Sequence, residues 1–297
     1  MSLLPDMTTQ STTHKPFKIE GPAVISFSGG RTSGYMLWRI LQAHDGVLPA
    51  DVRVVFANTG KEMNETLDFV QACSDEWHVP IDWVEYRAHE VPQQRWHQVN
   101  YATASRDGEP FRALIQQKSY LPNPVARFCT IEMKIRSMKL YAQQALGFTH
   151  WDVVIGFRAD EPARVAKLTL PNREPFERLA PLATVGITAG DVGLFWKAQS
   201  FDLMLPNTRG VTMHGNCDLC FLKGSNQILS LIREQPSRAL WWIKTESMIQ
   251  SSGQALGDGS RFRKDRPSYQ RMYDMATTHG EMFAFDNEAL QDCACTD

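Results

Sequence analysis

Two adjacent glycines, Gly29 and Gly30, separate a short apolar run from a segment with helical periodicity. The run Ala23–Phe27 is typical of a buried strand, and apolar residues recur at helical spacing from Thr32 to Ala43. Glycines let the backbone approach a ligand closely, and the N–H groups at a helix N-terminus bind anions. The pattern therefore predicts a strand, a tight turn and a helix that together hold a phosphate group. The residues of this turn, called the phosphate loop below, are Ser28, Gly29, Gly30, Arg31, Thr32 and Ser33.

The spacing of the phosphate loop excludes two common phosphate-binding motifs. It lacks the Gly-Lys-Ser/Thr that completes a Walker loop, and it does not read Gly-x-Gly-x-x-Gly. The hydroxyls of Ser28, Thr32 and Ser33 add hydrogen-bonding groups, and Arg31 adds a positive charge. A plain turn between a strand and a helix, without a ligand, is the alternative interpretation.

Strands and helices alternate after the phosphate loop. Short apolar runs predict further strands at Val52–Ala57, Ile81–Tyr86 and Trp151–Ile155. Helical periodicity predicts helices at Asn64–Trp77 and Thr130–Leu146, and Gly147 is a candidate C-terminal cap for the second. The alternation predicts an α/β fold, with a twisted parallel sheet covered by helices on both faces.

Beyond Pro181 the pattern becomes mostly helical. It predicts helices near Thr188–Gln199, Ser225–Glu234, Arg238–Ile249 and Ser268–His279. We therefore predict three regions: a flexible tail at 1–20, a nucleotide-binding α/β domain at 21–185, and a helical region at 186–297 that carries the later cysteines.

Charge and hydropathy restrict the partners. A formal net charge of -2 argues against a protein that coats nucleic acid by bulk charge, although a local basic groove is compatible with it. The basic stretch Arg261–Arg266 either contacts nucleic-acid phosphates or forms a solvated loop, which is the simpler interpretation. No apolar run approaches the roughly 20 residues that span a bilayer, and the N-terminus lacks a signal-peptide pattern. We therefore expect a cytoplasmic protein with no membrane partner.

The later cysteines form two close pairs, Cys217 with Cys220 and Cys293 with Cys295. In a reducing compartment such pairs indicate metal or redox chemistry more than structural disulfides. The first pair lies in a glycine-flanked Cys-x-x-Cys, a spacing that lets two thiolates reach one metal ion or cluster. Zinc would need a further ligand, such as His214 or a tail cysteine. Thioredoxin-like redox chemistry fits the position of the motif less well, and buried thiols without a ligand are the remaining alternative.

The phosphate loop also resembles the pyrophosphate loop of the PP-loop ATP pyrophosphatases, the adenine nucleotide alpha hydrolase-like superfamily. Other segments, in the same order, resemble the phosphoadenosine phosphosulfate (PAPS) reductase family. They are Phe56–Gly60 with Glu65, Thr66 and Phe69, Arg127–Thr130 with Lys134, Gly156–Pro162 with Arg164, and Pro181–Leu182 with Asp191–Val192 and Phe195–Trp196. The resemblance extends from about Ala23 to Gly224.

The resemblance implies a nucleotide site at the carboxyl ends of the strands, where ligands of open α/β sheets bind. By resemblance, the phosphate loop holds the pyrophosphate of ATP, and Asn58, Thr59 and Gly60 lie near the adenosine. Glu62 or Glu65 would help to place Mg²⁺, although a carboxylate in the first turn of a helix is favourable without a metal.

The resemblance also supplies candidate cations and a candidate nucleophile. Lys134, Arg158 and Arg164 are candidates for contacting phosphates or a charged transition state, and Arg158 is favoured because it follows a predicted strand end. Cys293 or Cys295, near the terminus, is similar in position to the mobile nucleophilic cysteine of PAPS reductases. We therefore take Arg158, Lys134 and Cys295 as the candidate catalytic residues.

The intact loop distinguishes among the activities found in this family. Sulfonucleotide reductases tend to have degraded loops, so the intact loop implies cleavage of ATP between its α- and β-phosphates, adenylylation of a substrate and then sulfur transfer. A tRNA or DNA acceptor and a sulfur donor protein are the implied partners. The alternatives are a thiol-dependent reductase of PAPS or adenosine phosphosulfate, supplied by thioredoxin, and a non-catalytic nucleotide-binding subunit. The last is suggested by Arg31-Thr32, which replaces the usual Lys-Asp.

Related proteins also imply a metal centre. In them, a cysteine matched by Cys129 joins the Cys-x-x-Cys to hold a [4Fe-4S] cluster. We therefore expect Cys129, Cys217 and Cys220 to converge beside the nucleotide site and to bind such a cluster, with zinc as the rival. Cys73 lies on the apolar face of a predicted helix and fits the core better than a site. The acceptor and the oligomeric state are left open.

Overall fold

The computed structural model describes residues 15–208, 211–253 and 257–278, and a six-stranded sheet is its main feature. The strands are β1 (Ala23–Ser26), β2 (Val52–Asn58), β3 (Ile81–Glu85), β4 (His97–Val99), β5 (Trp151–Val154) and β6 (Phe176–Leu179). Their order across the sheet is β4-β3-β2-β1-β5-β6. β1 pairs in parallel with β2 and β5, β5 pairs in parallel with β6, and β4 runs antiparallel to β3. The predicted α/β fold with a mostly parallel sheet is confirmed.

Helices connect the strands and follow the last of them. They are α1 (Arg31–Ala43), α2 (Asn64–Glu76), α3 (Glu109–Lys118), α4 (Ser137–Gln144), α5 (Pro162–Val165), α6 (Pro181–Thr184), α7 (Ala189–Lys197), α8 (Ser225–Glu234), α9 (Ala239–Ser252) and α10 (Tyr269–Thr278). A short hairpin pairs β7 (Asn207–Thr208) with β8 (Val211–Thr212). Within the described ranges, no helix has the length and apolar character needed to cross a membrane.

The sequence pattern does not predict β4 and β6, the two edge strands. β4 has three residues, none of them buried, so it shows no apolar alternation. β6 buries Phe176 alone among its four residues, and it directly follows Pro175. Edge strands of this kind form through pairing with a neighbouring strand, which a local pattern does not reveal.

The helix predicted at Thr130–Leu146 begins differently from the prediction. Residues Thr130–Arg136 form a π-helix, and α4 follows directly. The predicted cap is confirmed, because Gly147 has φ 71° and the N–H of Phe148 donates to the Ala142 carbonyl at 2.9 Å.

Packing divides the chain into two compact units, each built from several segments. Among the described residues, unit 1 comprises 15–56, 68–82 and 142–203, and unit 2 comprises 57–67, 83–141 and the described part of 204–278. The division follows packing rather than chain order, and the sequence-based boundary at residue 185 stays a prediction.

Aromatic side chains form much of the core of each unit. In unit 1 the ring of Phe69 packs edge-on against Trp196, with centroids 5.0 Å apart. In unit 2 the buried ring of Trp242 contacts Phe262 and Tyr269, with centroids 4.9 and 5.1 Å away. Such pairs add to the free energy gained by burying apolar area.

Candidate functional site

The phosphate loop, in unit 1, is fixed by a left-handed glycine and short-range hydrogen bonds. Gly29 has φ 74°, a conformation that L side chains rarely adopt. The Ser33 hydroxyl accepts from the Gly30 N–H at 3.2 Å and donates to the Gly30 carbonyl at 2.9 Å. Ser28 Oγ lies 3.1 Å from Ser33 Oγ. The loop therefore takes its shape largely from its own residues.

The loop leads directly into the N-terminus of α1, where Gly30 is the capping residue. The first N–H groups of a helix lack intrahelical partners and carry the positive end of the helix dipole. One turn further, a Cβ on Gly34 would lie 2.6 Å from Cζ2 of Trp196. Glycine therefore allows the start of α1 to approach Trp196 closely, and Trp196 Nε1 donates to the Arg31 carbonyl at 2.7 Å.

Arg31 turns its side chain to Asp202. Its Nε and Nη2 donate to the two carboxylate oxygens, each at 2.7 Å, and Nη2 also contacts the Leu203 carbonyl. The Arg31 side chain is 11% exposed. This bidentate pair anchors the start of α1 to the segment that follows α7. The predicted contact between this guanidinium and a phosphate stays a prediction.

Arg158, which follows β5, lies beside the phosphate loop. Its Nη1 donates to the Thr32 hydroxyl at 3.1 Å, and its Nε donates to Asp160 Oδ1 at 2.8 Å. Burial works against ionisation of Asp160, but the N–H of Ala189 and the Arg158 guanidinium outweigh it and lower the pKa of that carboxyl. Thus the structure brings the favoured cation to the predicted loop, at the end of the predicted strand.

Arg164 belongs to the same segment but contacts other groups. Its Nη1 lies 2.5 Å from Glu161 Oε1, and its guanidinium lies over the Phe157 ring, 4.3 Å from the centroid. Glu161 also accepts from the backbone N–H of Arg158 at 3.0 Å. Arg164 therefore orders the turn that carries Arg158, and its predicted contact with nucleotide stays a prediction.

Asn58, Thr59 and Gly60 lie in unit 2. The amide of Asn58 is fully buried, and it donates to Glu85 Oε1 at 2.6 Å and to the Ser105 carbonyl at 2.8 Å. Gly60 has φ 75°, and its carbonyl accepts from the Gly108 N–H at 2.8 Å. Both residues thus shape the turn after β2, and their predicted proximity to adenosine stays a prediction.

Thr59 joins a buried carboxylate to the Cys-x-x-Cys. Its backbone N–H donates to Glu62 Oε2 at 3.0 Å, and its hydroxyl lies 2.8 Å from both carboxylate oxygens. The same hydroxyl lies 3.3 Å from the Cys217 thiol. Glu62 also forms a backbone bridge with Cys217. The predicted post-β2 segment and the predicted cysteine turn therefore meet.

Buried charges hold the Cys-x-x-Cys turn. Asp218, 1% exposed, forms an ion pair with Lys61 at 3.0 Å and accepts from Trp242 Nε1 at 2.8 Å. Lys223, also 1% exposed, donates to the Cys217 carbonyl at 2.6 Å. Each charged group has a partner, as burial requires.

The three candidate metal ligands share one apolar cluster. Cys217 and Cys220 are buried in it, and Cys129 packs against it half-buried. Among the residues that the structure describes, however, no group of three or more Cys, His, Asp or Glu side chains is placed to hold a metal ion. His214, the candidate additional zinc ligand, instead pairs with Glu234 at 2.8 Å. The described donor set does not fit a cluster or a zinc ion, and we derive no chemical step through either.

The other candidates have simpler placements. Lys134 is buried within the π-helix, and its catalytic role stays a prediction. Cys73 is fully buried, and burial raises the pKa of its thiol, which agrees with a place in the core. Cys293 and Cys295 lie outside the described residues.

Sequence reasoning missed the charged residues that position both sites, namely Asp160, Asp202, Asp218 and Lys223. Asp202 stands 171 residues from Arg31 along the chain, so no spacing predicts their pairing. For Asp218 the sequence offered one local indication of a structural role, which is its position inside the Cys-x-x-Cys. A carboxylate inside a turn of apolar neighbours calls for a buried cation.

Comparisons with known proteins identify one family model and two similar proteins. The phosphoadenosine phosphosulfate reductase domain model matches residues 22–185. The uncharacterized nin region protein ORF290 of Escherichia phage lambda is 31% identical over 210 residues, which cover 69% of this chain and 67% of that protein. The U34-tRNA thiolase NcsA from Methanococcus maripaludis, with its [4Fe-4S] cluster, aligns at a TM-score of 0.42 and 13% identity, over 87% of this chain and 86% of that chain.

The family match covers more than half of the 297 residues and includes the phosphate loop, the turn after β2 and Arg158. The order of motifs and the mostly parallel sheet agree with it. The chain belongs to the phosphoadenosine phosphosulfate reductase domain family.

Proposed function

We propose that the chain binds ATP at the phosphate loop and cleaves it between the α- and β-phosphates to activate an acceptor for sulfur transfer. An acceptor oxygen attacks the α-phosphorus, a bond to that oxygen forms, and pyrophosphate leaves. A sulfur nucleophile then displaces AMP from the acceptor. The acceptor would be a tRNA or DNA, and a separate protein would deliver the sulfur.

The single observation that carries the proposal is the position of Arg158 beside the phosphate loop. A cation 3.1 Å from the Thr32 hydroxyl, at a helix N-terminus, adds charge where backbone N–H groups already favour an anion. The ion pair with Asp160 holds the guanidinium in place before a ligand arrives. Because Arg31 is paired with Asp202, we expect phosphate to meet the loop through backbone N–H groups, hydroxyls and Arg158.

The test compares Arg158→Gln and Arg158→Lys with the control Arg173→Gln, which removes an exposed arginine of the same unit. A charged hydrogen bond to a buried anion is worth about 1.5–3 kcal/mol. We therefore expect Arg158→Gln to weaken ATP binding roughly 10- to 100-fold, Arg158→Lys to retain part of it, and the control to bind normally. Calorimetric titration with ATP measures the affinity.

Product analysis tests the bond that is cleaved. Incubation with ATP, Mg²⁺ and candidate tRNA or DNA acceptors should release AMP and pyrophosphate. Release of ADP and phosphate would contradict α-β cleavage. Tight binding of ATP without turnover would favour the non-catalytic alternative, which the substitution Arg31-Thr32 in the loop suggests.

A sulfonucleotide reductase is the second candidate, and the name of the matching family favours it. Cys293 or Cys295 would then attack the sulfur of PAPS or adenosine phosphosulfate. Sulfite formation with thioredoxin as reductant would support this activity. Undiminished sulfite formation by a chain ending at Gln291 would exclude the tail cysteines.

The metal predictions are tested separately. Mg²⁺ would be held by ATP phosphates and a carboxylate, for which Glu62 and Glu65 are the candidates. Metal analysis after anaerobic purification tests the three-cysteine hypothesis: iron with absorbance near roughly 400 nm would indicate a cluster, and zinc the rival. A protein that contains neither metal would agree with the finding that the described side chains form no group of three metal ligands.

A further inference from the structure

A groove of about 490 Å³ opens in unit 2, called the basic groove below. Its lining includes Arg261, Arg263, Lys264, Asp265, Val125 and Leu222. Three cations against one carboxylate leave two net positive charges, on a chain whose net charge is -2. The charge is therefore a local feature of this surface. The volume of the basic groove lies in the range of sites that bind small ligands.

Buried anchors fix the basic side of the groove. Phe262 is fully buried, with its ring centroid 4.9 Å from that of Trp242. Arg266, 8% exposed, donates to the Lys223 carbonyl at 2.7 Å. Because both residues are buried, the segment between them is held in place. It exposes Lys264, while Arg263 is partly buried and forms an ion pair with Asp265. The solvated-loop interpretation of this stretch does not account for these anchors.

A second stretch of the lining presents an apolar residue to solvent. Val125 is 95% exposed. The side-chain oxygen of Asn123 accepts from the N–H groups of Val125 and Ala126 at 3.0 and 2.8 Å, so hydrogen bonds hold this turn in shape. The N–H of Leu121 also donates to the Gly259 carbonyl at 2.9 Å. This bond joins the chain just before Val125 to the chain just before Arg261.

The groove adjoins both cysteine-bearing segments. Leu222 stands two residues after Cys220, and Val125 stands four residues before Cys129. A ligand in the groove would therefore lie along the chain segments that lead to those cysteines.

We propose that the basic groove binds the phosphodiester backbone of a single-stranded nucleic acid. The cations meet phosphates, and Val125 with Leu222 offers apolar contact to a base. An acidic peptide would also complement the positive charge of the groove. It has no flat base beside each anionic group to contact Val125 and Leu222. The proposal rests on the proposed function only in that this nucleic acid would be the acceptor.

The test uses the full chain and short labelled single-stranded RNA and DNA, with binding followed by fluorescence anisotropy between about 50 and 200 mM salt. The groove variant is Arg261→Ala with Lys264→Ala. The matched control is Arg233→Ala with Lys244→Ala, which removes the same charge from exposed sites in unit 2 outside the groove. We expect the groove variant to bind about tenfold or more weakly and to lose about one to two units of salt slope. The control should bind like the original chain.

Two further readouts separate the outcomes. Val125→Ser should weaken binding while leaving the salt slope unchanged, because it removes an apolar contact only. ATP affinity of the groove variant should stay unchanged, so a failure of ATP turnover would count against the proposed function and not against the groove.

Equal loss in the groove and control variants, no binding of either oligonucleotide at low salt, or displacement of neither by an excess of unlabelled strand would overturn the proposal. Binding of a poly-glutamate peptide in place of the oligonucleotides would also overturn it.

Discussion

The phosphate loop contains two glycines and the Cys-x-x-Cys turn is flanked by two, but different forces hold the two turns. The backbone turn of the phosphate loop is shaped by hydrogen bonds between residues at most five positions apart, chiefly those of Ser33, while the side chains of Arg31 and Thr32 bond to Asp202 and Arg158 elsewhere in the chain. The cysteine turn is held by groups far away in the chain, such as Lys61 on Asp218 and Thr59 on Cys217. The first turn is thus encoded locally, whereas the second depends on the surrounding fold.

This difference predicts how each turn responds to change. A locally bonded loop can lose one hydroxyl and keep its neighbours in place. A substitution in a turn held by buried charges lowers the free energy of unfolding by more, because removing one partner leaves the other charge buried and uncompensated. Substitutions in the two turns therefore test the comparison directly.

The largest effect is expected for Asp218→Ala. It leaves Lys61 buried without its carboxylate and removes the acceptor of Trp242 Nε1. We expect a loss of about 3–5 kcal/mol in the free energy of unfolding, measured by urea denaturation. Asp75→Ala, at an exposed aspartate, is the control and should change stability by under about 0.5 kcal/mol. Similar losses for the two variants would show that the charges do not hold the cysteine turn.

The same contrast explains what the sequence could predict. The strands β1, β2, β3 and β5 are apolar runs, and α7 to α10 follow helical periodicity, so local patterns reveal them. The phosphate loop and Arg158 were also accessible, because both lie at predicted strand ends. The partner of Arg31 was not, since Asp202 reaches the loop through the tertiary fold from 171 residues away.

The cysteines illustrate this limit further. Spacing correctly places Cys217 and Cys220 in one turn, and the structure packs Cys129 against the same cluster. Spacing does not say whether thiols point at a common position, and the described side chains form no group of three metal ligands. Side-chain direction depends on packing in the core, which sequence periodicity does not encode.

A second prediction concerns the helix behind the phosphate loop. In Gly34→Ala the new Cβ would lie 2.6 Å from the Trp196 ring, so the helix or the ring must shift. We expect a loss of about 1–3 kcal/mol in unfolding free energy, together with weaker ATP binding. Gly193→Ala, in α7, is the control: nothing lies within 4 Å of its Cβ, so better helix propensity should stabilise the chain by up to ~1 kcal/mol. Equal effects of the two substitutions would exclude close packing at Gly34.

A third prediction tests how local the phosphate loop is. Ser33→Ala removes the hydroxyl that bonds Ser28 and both backbone groups of Gly30, and should cost about 1–2 kcal/mol in stability. Ser28→Ala removes a single one of these bonds and should cost less. If the loop binds ATP, Ser33→Ala should lower the affinity about tenfold. An unfolding loss as large as that of Asp218→Ala would contradict the comparison.

The smallest effect is expected at the other end of α1, where His44 caps the helix. His44 Nε2 accepts from the Ile19 N–H at 3.0 Å, a bond that only the neutral ring can accept. Burial lowers the pKa of His44 below 6.5; the charge of Lys18 acts in the same direction, and Glu20 and Asp45 oppose it. The unfolded chain therefore takes up the proton first as the pH falls. The contribution of His44 to stability is complete above about pH 6.5 and is lost progressively below it.

His44→Gln isolates this contribution, because the glutamine oxygen can accept the same N–H and does not titrate. We expect the unfolding free energy of the original chain to fall more steeply between about pH 7 and pH 5.5 than that of the variant. All other titrating groups are common to both proteins, so the difference between the two pH profiles belongs to His44 and its neighbours. Parallel profiles would mean that the Ile19 hydrogen bond contributes no measurable stability, and that this end of α1 is held by apolar packing instead. A steeper fall in the original chain would show that this end of α1, unlike the turn at its start, depends on a hydrogen bond to a residue 25 positions away.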